Sequence, residues 1–446
     1  MKLSSYTIIV DDYPQKGECL VYNTRTQALI KLDSRLREAV KNLSAEIAQR
    51  FKDEINTLHD NGILVADEKE DNQRLEDFFR QLKEGVRKAS FPVSVLTTYA
   101  CNFDCDYCFQ KSSRVNESMD KATASALIEW LKKKALVLGY EEIYIVFYGG
   151  EPLMNRPVIE MIASNMNAFC KANGLKFKFM LQTNGYLLSR EWVLKYLPLG
   201  LSQVRISVDG VGEVHDRNRH LLDGSGTFKK IMENILACVD DVQIGISCSY
   251  ESGDVSHIEE LLDYLDSLGI LYKLGEFMFS PVHPSLGPSG NAHDIQQCEH
   301  MNNYGEDNLI KAARNIRRIM AKRRLPMRSG LSIVACPLTR KNGGVTIDQK
   351  GRIFKCNSML GHPEFSVGDV REDNFNNVHE EFVNLDVWQK CPRSCPYLPM
   401  CSGGCRMFSF LKNRDFSAPI CFKLYLDTMA PELIKWNYIN SLKIVA

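Results

Sequence analysis

Short apolar runs alternate with amphipathic segments of helical periodicity through the middle of the chain. Each run suits one buried strand, and each segment between two runs places its apolar residues on one helical face. This alternation indicates parallel βα units and predicts an α/β fold, in which chemistry lies at the carboxyl ends of the strands. The predicted strands are residues 93–98, 143–147, 176–182, 204–208, 243–248 and 272–279, and the predicted helices between them are residues 120–136, 157–172, 189–197, 227–239 and 255–268.

The first 70 residues follow a different pattern, in which three short strands precede helices. Strands are predicted at residues 6–10, 18–22, 28–32 and 63–65, and helices at residues 33–43 and 45–59. This pattern indicates a small N-terminal α+β domain. The rest of the chain divides into a linking helix at 71–90, the α/β part at 91–281, a bridging segment at 282–330, a cysteine-rich domain at 331–425 and a tail helix at 426–446.

Composition and charge exclude several classes of protein. The 446 residues are 44% hydrophobic and 25% charged, with 55 basic and 55 acidic side chains, so bulk charge does not favour nucleic acid or a membrane surface as partner. No signal peptide and no membrane-spanning run is recognisable, which predicts a cytoplasmic protein. A basic helix within residues 311–324 suits either a solvated face or a docking patch for an acidic peptide.

The chain has fifteen cysteines, and ten of them fall into two groups, which indicates binding of a metal or an iron–sulfur cluster. The first group, Cys101, Cys105 and Cys108, has C-x3-C-x2-C spacing directly after the first predicted strand of the α/β part. Three thiolates can hold three irons of a [4Fe–4S] cluster and leave the fourth iron without a protein ligand. A zinc site is the alternative, although zinc usually takes four closed ligands.

These three cysteines and the segment Gly149-Gly150-Glu151-Pro152, which follows the second strand of the α/β part, resemble the radical S-adenosylmethionine (SAM) superfamily. The resemblance implies a partial (β/α)6, TIM-like barrel. It also implies a [4Fe–4S] cluster whose free iron takes the amino and carboxylate groups of SAM.

The same resemblance implies roles for further residues. Gly149, Gly150 and Glu151 would orient the amino group of SAM, and Tyr107 would contact the adenine. Ser207, at the end of the fourth barrel strand, is a candidate for the ribose, with Asp209 a weaker candidate. Arg219 is a candidate for the SAM carboxylate, because guanidinium pairs with carboxylate in two hydrogen bonds; a structural ion pair with Asp216 is the alternative.

The later cysteines resemble the SPASM domain, which carries two auxiliary [4Fe–4S] clusters. The Cys391-x3-Cys395 spacing is one residue longer than the family pattern. The resemblance would leave one auxiliary cluster with three cysteines, so that its open iron takes either a substrate thiolate or another ligand such as His362. Two zinc ribbons are the wider alternative. The implied sets are Cys391, Cys395, Cys401 and Cys421 for one cluster, and Cys336, Cys356 and Cys405 for the other.

The N-terminal order of elements resembles the winged-helix modules that bind leader peptides of ribosomally made precursors (RiPPs), usually by adding a strand to a sheet edge. A plain packing domain is the alternative. Together the resemblances imply a peptide maturase that cleaves SAM to a 5′-deoxyadenosyl radical and installs a thioether or carbon–carbon crosslink. An electron donor such as flavodoxin or ferredoxin would supply the electron for SAM cleavage. The alternatives are a sulfatase-maturase-type oxidation of Cys or Ser to formylglycine, and a non-catalytic iron–sulfur or zinc scaffold. No residue is assigned as general base.

Overall fold

The computed structural model describes residues 1–85, 89–108, 110, 116–251, 253–282, 307–327, 329–334 and 336–445. The N-terminal part contains a three-stranded antiparallel sheet in the order β2-β3-β4, and a second small sheet in which β1 pairs with β5. The elements are β1 Lys2–Leu3, β2 Thr7–Asp11, β3 Cys19–Asn23, β4 Leu29–Leu32, α1 Ser34–Lys41, α2 Ala45–Arg50, α3 Lys52–Asp60 and β5 Leu64–Val65.

The predicted order of three strands followed by helices is confirmed, with two differences. The single helix predicted at 45–59 is broken at Phe51, whose backbone leaves the helical region (φ −112°, ψ 39°) while its ring stays buried. Strand β1 was not predicted, because a two-residue strand carries no periodicity. Asp33 caps α1, since its carboxylate accepts from the Leu36 N–H at 2.7 Å.

Helix α4, Glu68–Glu84, connects this part to the rest of the chain. Its buried Phe79 stacks on Trp388 of the C-terminal part, with ring centroids 4.4 Å apart. The helix ends at Gly85, which has a left-handed φ of +70°, and a Cβ there would lie 1.6 Å from the carbonyl oxygen of Asn342. Only glycine permits this ending.

Six parallel strands in sequence order form the central sheet, so the predicted α/β fold of six βα units is confirmed. The last strand begins four residues later than predicted, because a 3₁₀ turn at Leu271–Lys273 precedes it. The strands are β6 Phe91–Leu96, β7 Glu142–Tyr148, β8 Lys176–Thr183, β9 Leu201–Ser207, β10 Gln243–Tyr250 and β11 Glu276–Pro281; the helices are α5 Lys121–Leu138, α6 Arg156–Ala172, α7 Arg190–Tyr196, α8 Glu213–Asn218, α9 Phe228–Cys238 and α10 Ser256–Ser267.

The C-terminal part extends the same sheet. Strand β12 pairs in parallel with β6, and β13 and β14 follow in antiparallel order. This continuation was not predicted. The elements are α11 Asp307–Lys322, β12 Val345–Ile347, β13 Arg352–Phe354, β14 Gly368–Asp369, α12 Asn377–Val383, α13 Leu398–Cys401, α14 Arg406–Asn413 and α15 Lys423–Val445.

Helix α15 packs against the N-terminal sheet. Leu20 and Tyr22 of β3 share a buried cluster with Met429 and Leu433 of α15. The Tyr22 hydroxyl donates to the carbonyl of Leu331 at 2.8 Å. One face of the N-terminal sheet is therefore covered by the end of the chain. No helix in the described part of the chain is long and apolar enough to cross a membrane.

Candidate active site and cysteine clusters

The loop that carries Cys101, Cys105 and Cys108 follows β6, at the carboxyl end of the parallel strands. Phe103 within it is fully buried and forms an isolated bridge with Leu221, which lies after α8. The cysteine loop is thus fixed against another loop at the same end of the barrel, as the parallel topology predicts.

Gly149 and Gly150 lie directly against the backbone that leads into this loop. The Gly150 N–H donates to the carbonyl of Thr98, and the Glu151 N–H donates to that of Ala100, both at 2.9 Å. A Cβ on Gly150 would lie 2.4 Å from the Ala100 carbonyl oxygen, and one on Gly149 would lie 2.5 Å from that of Thr98. The two glycines are required because the backbones approach so closely; their contact with SAM stays a prediction.

Glu151 is fully buried, and its carboxylate is occupied within the protein. It accepts from the Leu153 N–H at 3.0 Å, the Thr183 hydroxyl at 2.8 Å and the Asn184 N–H at 2.8 Å. Burial raises the pKa of this carboxyl, while these hydrogen bonds oppose the rise. The side chain of Glu151 therefore joins the ends of β7 and β8. A role for Glu151 toward the amino group of SAM stays a prediction.

Arg219, Tyr107 and Asp209 form a buried polar group beside the cysteine loop. Arg219 donates from Nη1 to the Tyr107 hydroxyl at 2.6 Å and lies 3.7 Å from Asp209 Oδ2, while the Tyr107 hydroxyl donates to the Asp209 carboxylate. Side-chain exposure is 12% for Arg219 and 1% for Asp209. Burial lowers the pKa of Arg219, but Tyr107, Asp209 and Cys105 outweigh it and raise the pKa well above its ordinary value. Arg219 therefore stays cationic near the thiol of Cys105.

Asp216, the alternative ion-pair partner of Arg219, accepts hydrogen bonds from the backbone instead. The carboxylate of Asp216 accepts from the backbone N–H groups of Thr227 and Phe228, at 2.6 and 2.8 Å. Asp216 thus serves the start of α9, where the first N–H groups of a helix need acceptors. The ion pair of Arg219 is with Asp209 instead.

The serine candidates lie on two neighbouring strands. Ser207 ends β9, half-buried, and is in register with Ser247 of β10. The backbone N–H of Ser249 donates to Asp209 Oδ1 at 2.8 Å. These residues line the same end of the sheet as the cysteine loop; the contact of Ser207 with the ribose of SAM stays a prediction.

His215 has a function that sequence reasoning missed. Its ring is fully buried, Nδ1 accepts from the Asp209 N–H at 3.2 Å, and Nε2 lies 3.1 Å from the Thr227 hydroxyl. Burial, and then the charge of Arg219, lower its pKa to about 3, so the ring is neutral at neutral pH. His215 fixes the turn that carries Asp209. Its position six residues after Asp209, in the helix that follows the strand, was the only signal in the sequence.

The three thiols of the loop lie near other titratable groups of the site. Burial raises the pKa of the Tyr148 hydroxyl, with Cys108 and Cys101 adding to the rise, while Cys105 acts on Arg219. No three His, Cys, Asp or Glu side chains of the described residues form a group that could hold a metal ion. A [4Fe–4S] cluster would take each thiolate on a different iron. That these three cysteines hold such a cluster stays a prediction.

The C-terminal thiols influence one another's pKa in two groups, and the role of these groups as ligands of two clusters stays a prediction. Burial raises the pKa of Cys336 to about 12, and the thiols of Cys405 and Cys356 add to the rise. Burial likewise raises the pKa of Cys401 to about 11, where the contributing thiols belong to the other set. None of the fourteen described cysteines forms a disulfide bond with another, and Cys298 lies outside the described residues. The thiols that act on Cys401 are Cys391, Cys395 and Cys421.

Arg406 lies between the two sets and was also missed. Its side chain is 1% exposed, and burial lowers its pKa, while thiols of both sets, Cys336 and Cys405 on one side and Cys401 and Cys391 on the other, oppose that effect. The guanidinium donates to the backbone carbonyls of Gly403, Gly404, Phe416 and Ala418. A fixed positive charge therefore lies between two groups of thiols that become anionic when they bind metal.

His362, the suggested non-cysteine ligand, is buried, and its Nδ1 lies 3.4 Å from Glu364 Oε1. Its role as a ligand stays a prediction.

Comparison with known proteins first defines the class. Residues 95–265 match the profile of the Radical SAM superfamily, so the chain contains a radical SAM domain. Anaerobic sulfatase-maturating enzymes are among the particular relatives. A cysteine-type anaerobic sulfatase-maturating enzyme of Clostridium perfringens is 24% identical over 389 residues, which cover 79% of this chain and 100% of that protein.

Two solved structures share the fold. The anaerobic sulfatase maturase anSMEcpe, with bound AdoMet and Cp18Cys peptide, superposes with a TM-score of 0.60 and 18% identity, over 79% of this chain and 99% of that one. SuiB of Streptococcus suis, bound to the precursor peptide SuiA, superposes with a TM-score of 0.57 and 14% identity, over 95% of this chain and 99% of that one.

Proposed function

We propose that this protein is a radical SAM peptide maturase that acts on a ribosomally made precursor peptide and installs a thioether or carbon–carbon crosslink. The extent of the fold likeness supports this most. SuiB, which binds a precursor peptide, covers 95% of this chain, whereas anSMEcpe covers 79%. SuiB thus covers 16 percentage points more of this chain than anSMEcpe does. Of 446 residues this is about 70, which is the length of the N-terminal part.

The residues at the carboxyl ends of the strands suit the cofactors of such an enzyme. Cys101, Cys105 and Cys108 would hold the SAM-binding [4Fe–4S] cluster, and Arg219, near Cys105, would pair with the SAM carboxylate. Ser207 and Tyr107 would contact the ribose and the adenine, respectively. When bound, the cluster and SAM supply a radical that removes a hydrogen atom from an unactivated C–H bond. The chain's own part is to orient these groups and to exclude water from the barrel.

The two C-terminal sets would hold the auxiliary clusters. The set of four cysteines can close its cluster with protein ligands. The set of Cys336, Cys356 and Cys405 leaves one iron for another ligand, and a cysteine thiolate of the substrate would fill it. Thioether formation removes two hydrogen atoms from the peptide, so the enzyme must also pass on one electron. An exchangeable partner such as flavodoxin or ferredoxin is proposed as the reductant for SAM cleavage.

The N-terminal sheet would bind the leader of the precursor at the edge strand β4. In the described part of the chain β4 pairs only with β3, so its other edge keeps N–H and C=O groups that an added strand can use. Strand β2 is the other edge of this sheet, and helix α15 packs on β2 and β3. Domain boundaries near residues 70 and 90 are part of this proposal.

The experiment is anaerobic incubation of the reconstituted protein with SAM, dithionite and any short peptide found to be encoded beside its gene, followed by mass spectrometry. The proposal expects loss of two hydrogen atoms with no new aldehyde, and much slower reaction when the leader is removed. A peptide aldehyde that reacts with a hydrazide would instead support formylglycine formation. Formylglycine formation is the second candidate function, and it is favoured by the sulfatase-maturating relative of Clostridium perfringens, because the match covers 100% of that protein. Equal rates with and without the leader would contradict the role of β4.

A further inference from the structure

A cavity lies at the opposite end of the barrel from the cysteine loop. It is lined by Phe91, the first residue of β6, and by Leu138 and Tyr140, which connect α5 to β7. Its volume is about 310 Å³, at the lower end of the range for sites that bind small molecules. No residue of this cavity belongs to the cysteine sets or to the polar group around Arg219.

Two lysines bring positive charge to this cavity without a matching carboxylate. Lys355 is 2% exposed, and its ammonium donates to the carbonyls of Arg340 and Lys341 at 2.6 and 3.3 Å. The ammonium groups of Lys355 and Lys134 lie 5.5 and 5.4 Å from the centroid of the same ring, Phe375. Neither lysine forms an ion pair with an acidic side chain among the described residues.

The acidic residues that line the cavity do not cancel this charge. Asp373 is paired at 2.5 Å with Lys133, which lies outside the cavity, and gives Lys134 only its backbone carbonyl, at 3.1 Å. Glu380 lines the cavity near Lys341, a third lysine, which is itself paired with Glu84 outside it. Lys134 and Lys355 therefore form no ion pair of their own among the described residues, although burial lowers the pKa of Lys134 and the Asp373 carboxylate partly opposes this effect.

A buried histidine completes the group. His379 is 5% exposed and stacks on Phe375, with centroids 4.3 Å apart, and its Nδ1 is buried with no hydrogen-bond partner in the described structure. Burial, and then the charges of Lys355 and Lys134, lower the pKa of His379 to about 4. A buried polar atom without a partner costs free energy, which a bound acceptor would recover.

We propose that this cavity binds a small oxyanion, phosphate or carboxylate, that is carried on a flat ring. The oxyanion would lie between Lys134, Lys355 and His379, where it supplies the missing counter-charge and the missing hydrogen-bond acceptor. The ring would pack against the aromatic side chains of Phe91, Trp130 and Tyr140, which form the apolar wall. The site is separate from the proposed radical chemistry and does not depend on it.

Isothermal titration of the full-length protein tests this proposal, with phenyl phosphate and benzoate as probes and benzyl alcohol as the uncharged match. Both anions should bind in the millimolar range or tighter, and benzyl alcohol should not. The tighter of the two assigns phosphate or carboxylate as the preferred group. Inorganic phosphate alone should bind more weakly than phenyl phosphate, because it lacks the ring.

Variants locate the binding. Lys134→Gln should weaken phenyl phosphate about tenfold or more, the usual effect of losing one charge-assisted hydrogen bond. His379→Phe, which keeps the stacking on Phe375, should also weaken it. Lys132→Gln, in the same helix but outside the cavity, should bind as the parent does. Absence of binding at millimolar probe, or equal affinity of the Lys134 and Lys132 variants, would overturn the proposal.

Discussion

Replacement of Arg219 by Met separates two effects of one side chain, its ion pair with Asp209 and its proposed contact with the SAM carboxylate. The guanidinium is the counter-charge of Asp209, whose side chain is 1% exposed, so the variant leaves a buried carboxylate without a partner. Breaking a buried pair in this way costs about 3–5 kcal/mol of unfolding free energy. If Arg219 also binds the SAM carboxylate, losing that charge-assisted contact costs about 1.5–3 kcal/mol, or about a ten- to 150-fold weaker dissociation constant.

A double variant distinguishes the two effects. In Asp209→Asn/Arg219→Met no buried charge is left unpaired, so urea unfolding of the cluster-free protein should show that most of the lost stability returns. SAM affinity, measured by equilibrium dialysis on the reconstituted protein, should stay low. Arg217→Met is the matched control, because Arg217 is exposed in α8, the helix that Arg219 directly follows, and its loss should change stability by no more than about 0.5 kcal/mol.

Either of two results would refute this account of Arg219. One is an Arg219→Met protein as stable as the Arg217→Met control, which would mean that the ion pair with Asp209 contributes nothing. The other is recovery of SAM affinity in the double variant, which would mean that Arg219 acts only through Asp209.

Three further predictions concern Gly150, His215 and Cys391. Gly150→Ala places a Cβ 2.4 Å from the Ala100 carbonyl oxygen, so it should cost about 1–3 kcal/mol of stability and lower the amounts of iron and sulfide bound on reconstitution. The control Gly343→Ala, whose Cβ has no contact closer than 3.6 Å, should match the parent, and equal iron content in the two variants would contradict the packing argument. His215 has a folded pKa of about 3 against 6.5 in the unfolded chain, so the unfolded state gains a proton first as pH falls, and stability is lost between those two values by up to about 1.4 kcal/mol per unit. Urea unfolding of His215→Gln at pH 7 and 5 should show a smaller loss than the parent, and an unchanged loss would contradict this assignment. Cys391→Ala should lower bound iron by about one cluster's share while 5′-deoxyadenosine formation persists; zinc in place of that iron would contradict the cluster assignment.

The sequence predicted the barrel well because its signals are local. Helices α5 and α7 begin directly after Asp120 and Ser189, the first residues of the two predicted helices, whose side chains accept from backbone N–H groups in the first turn. The buried strands between the helices are long enough to show as apolar runs. Strands β1 and β12–β14 have two or three residues, and only their partners in the folded chain define them, so no local pattern revealed them.

The candidate site likewise contains some residues that local sequence patterns reveal and others that only the folded chain brings together. The cysteines and the Gly149-Gly150 segment were recognisable because their spacing along the chain is itself the signal. The ion-pair partner of Arg219 was not recognisable, because the turn after β9 brings Asp209 and Arg219 together, whereas Asp216 is the nearer acid along the chain. Arg406 gave no signal beyond following Cys405, although it lies between both sets of thiols. Contacts that depend on tertiary packing need the structure.

The central claim is that Cys101, Cys105 and Cys108 hold a cluster that cleaves SAM reductively. The most direct test is anaerobic reconstitution with iron and sulfide, addition of SAM and dithionite, and quantification of 5′-deoxyadenosine by liquid chromatography. The account predicts 5′-deoxyadenosine from the parent protein, and none from the variant in which these three cysteines are alanine. Its absence from a parent protein shown to contain iron and sulfide, or equal amounts from both proteins, would contradict the claim.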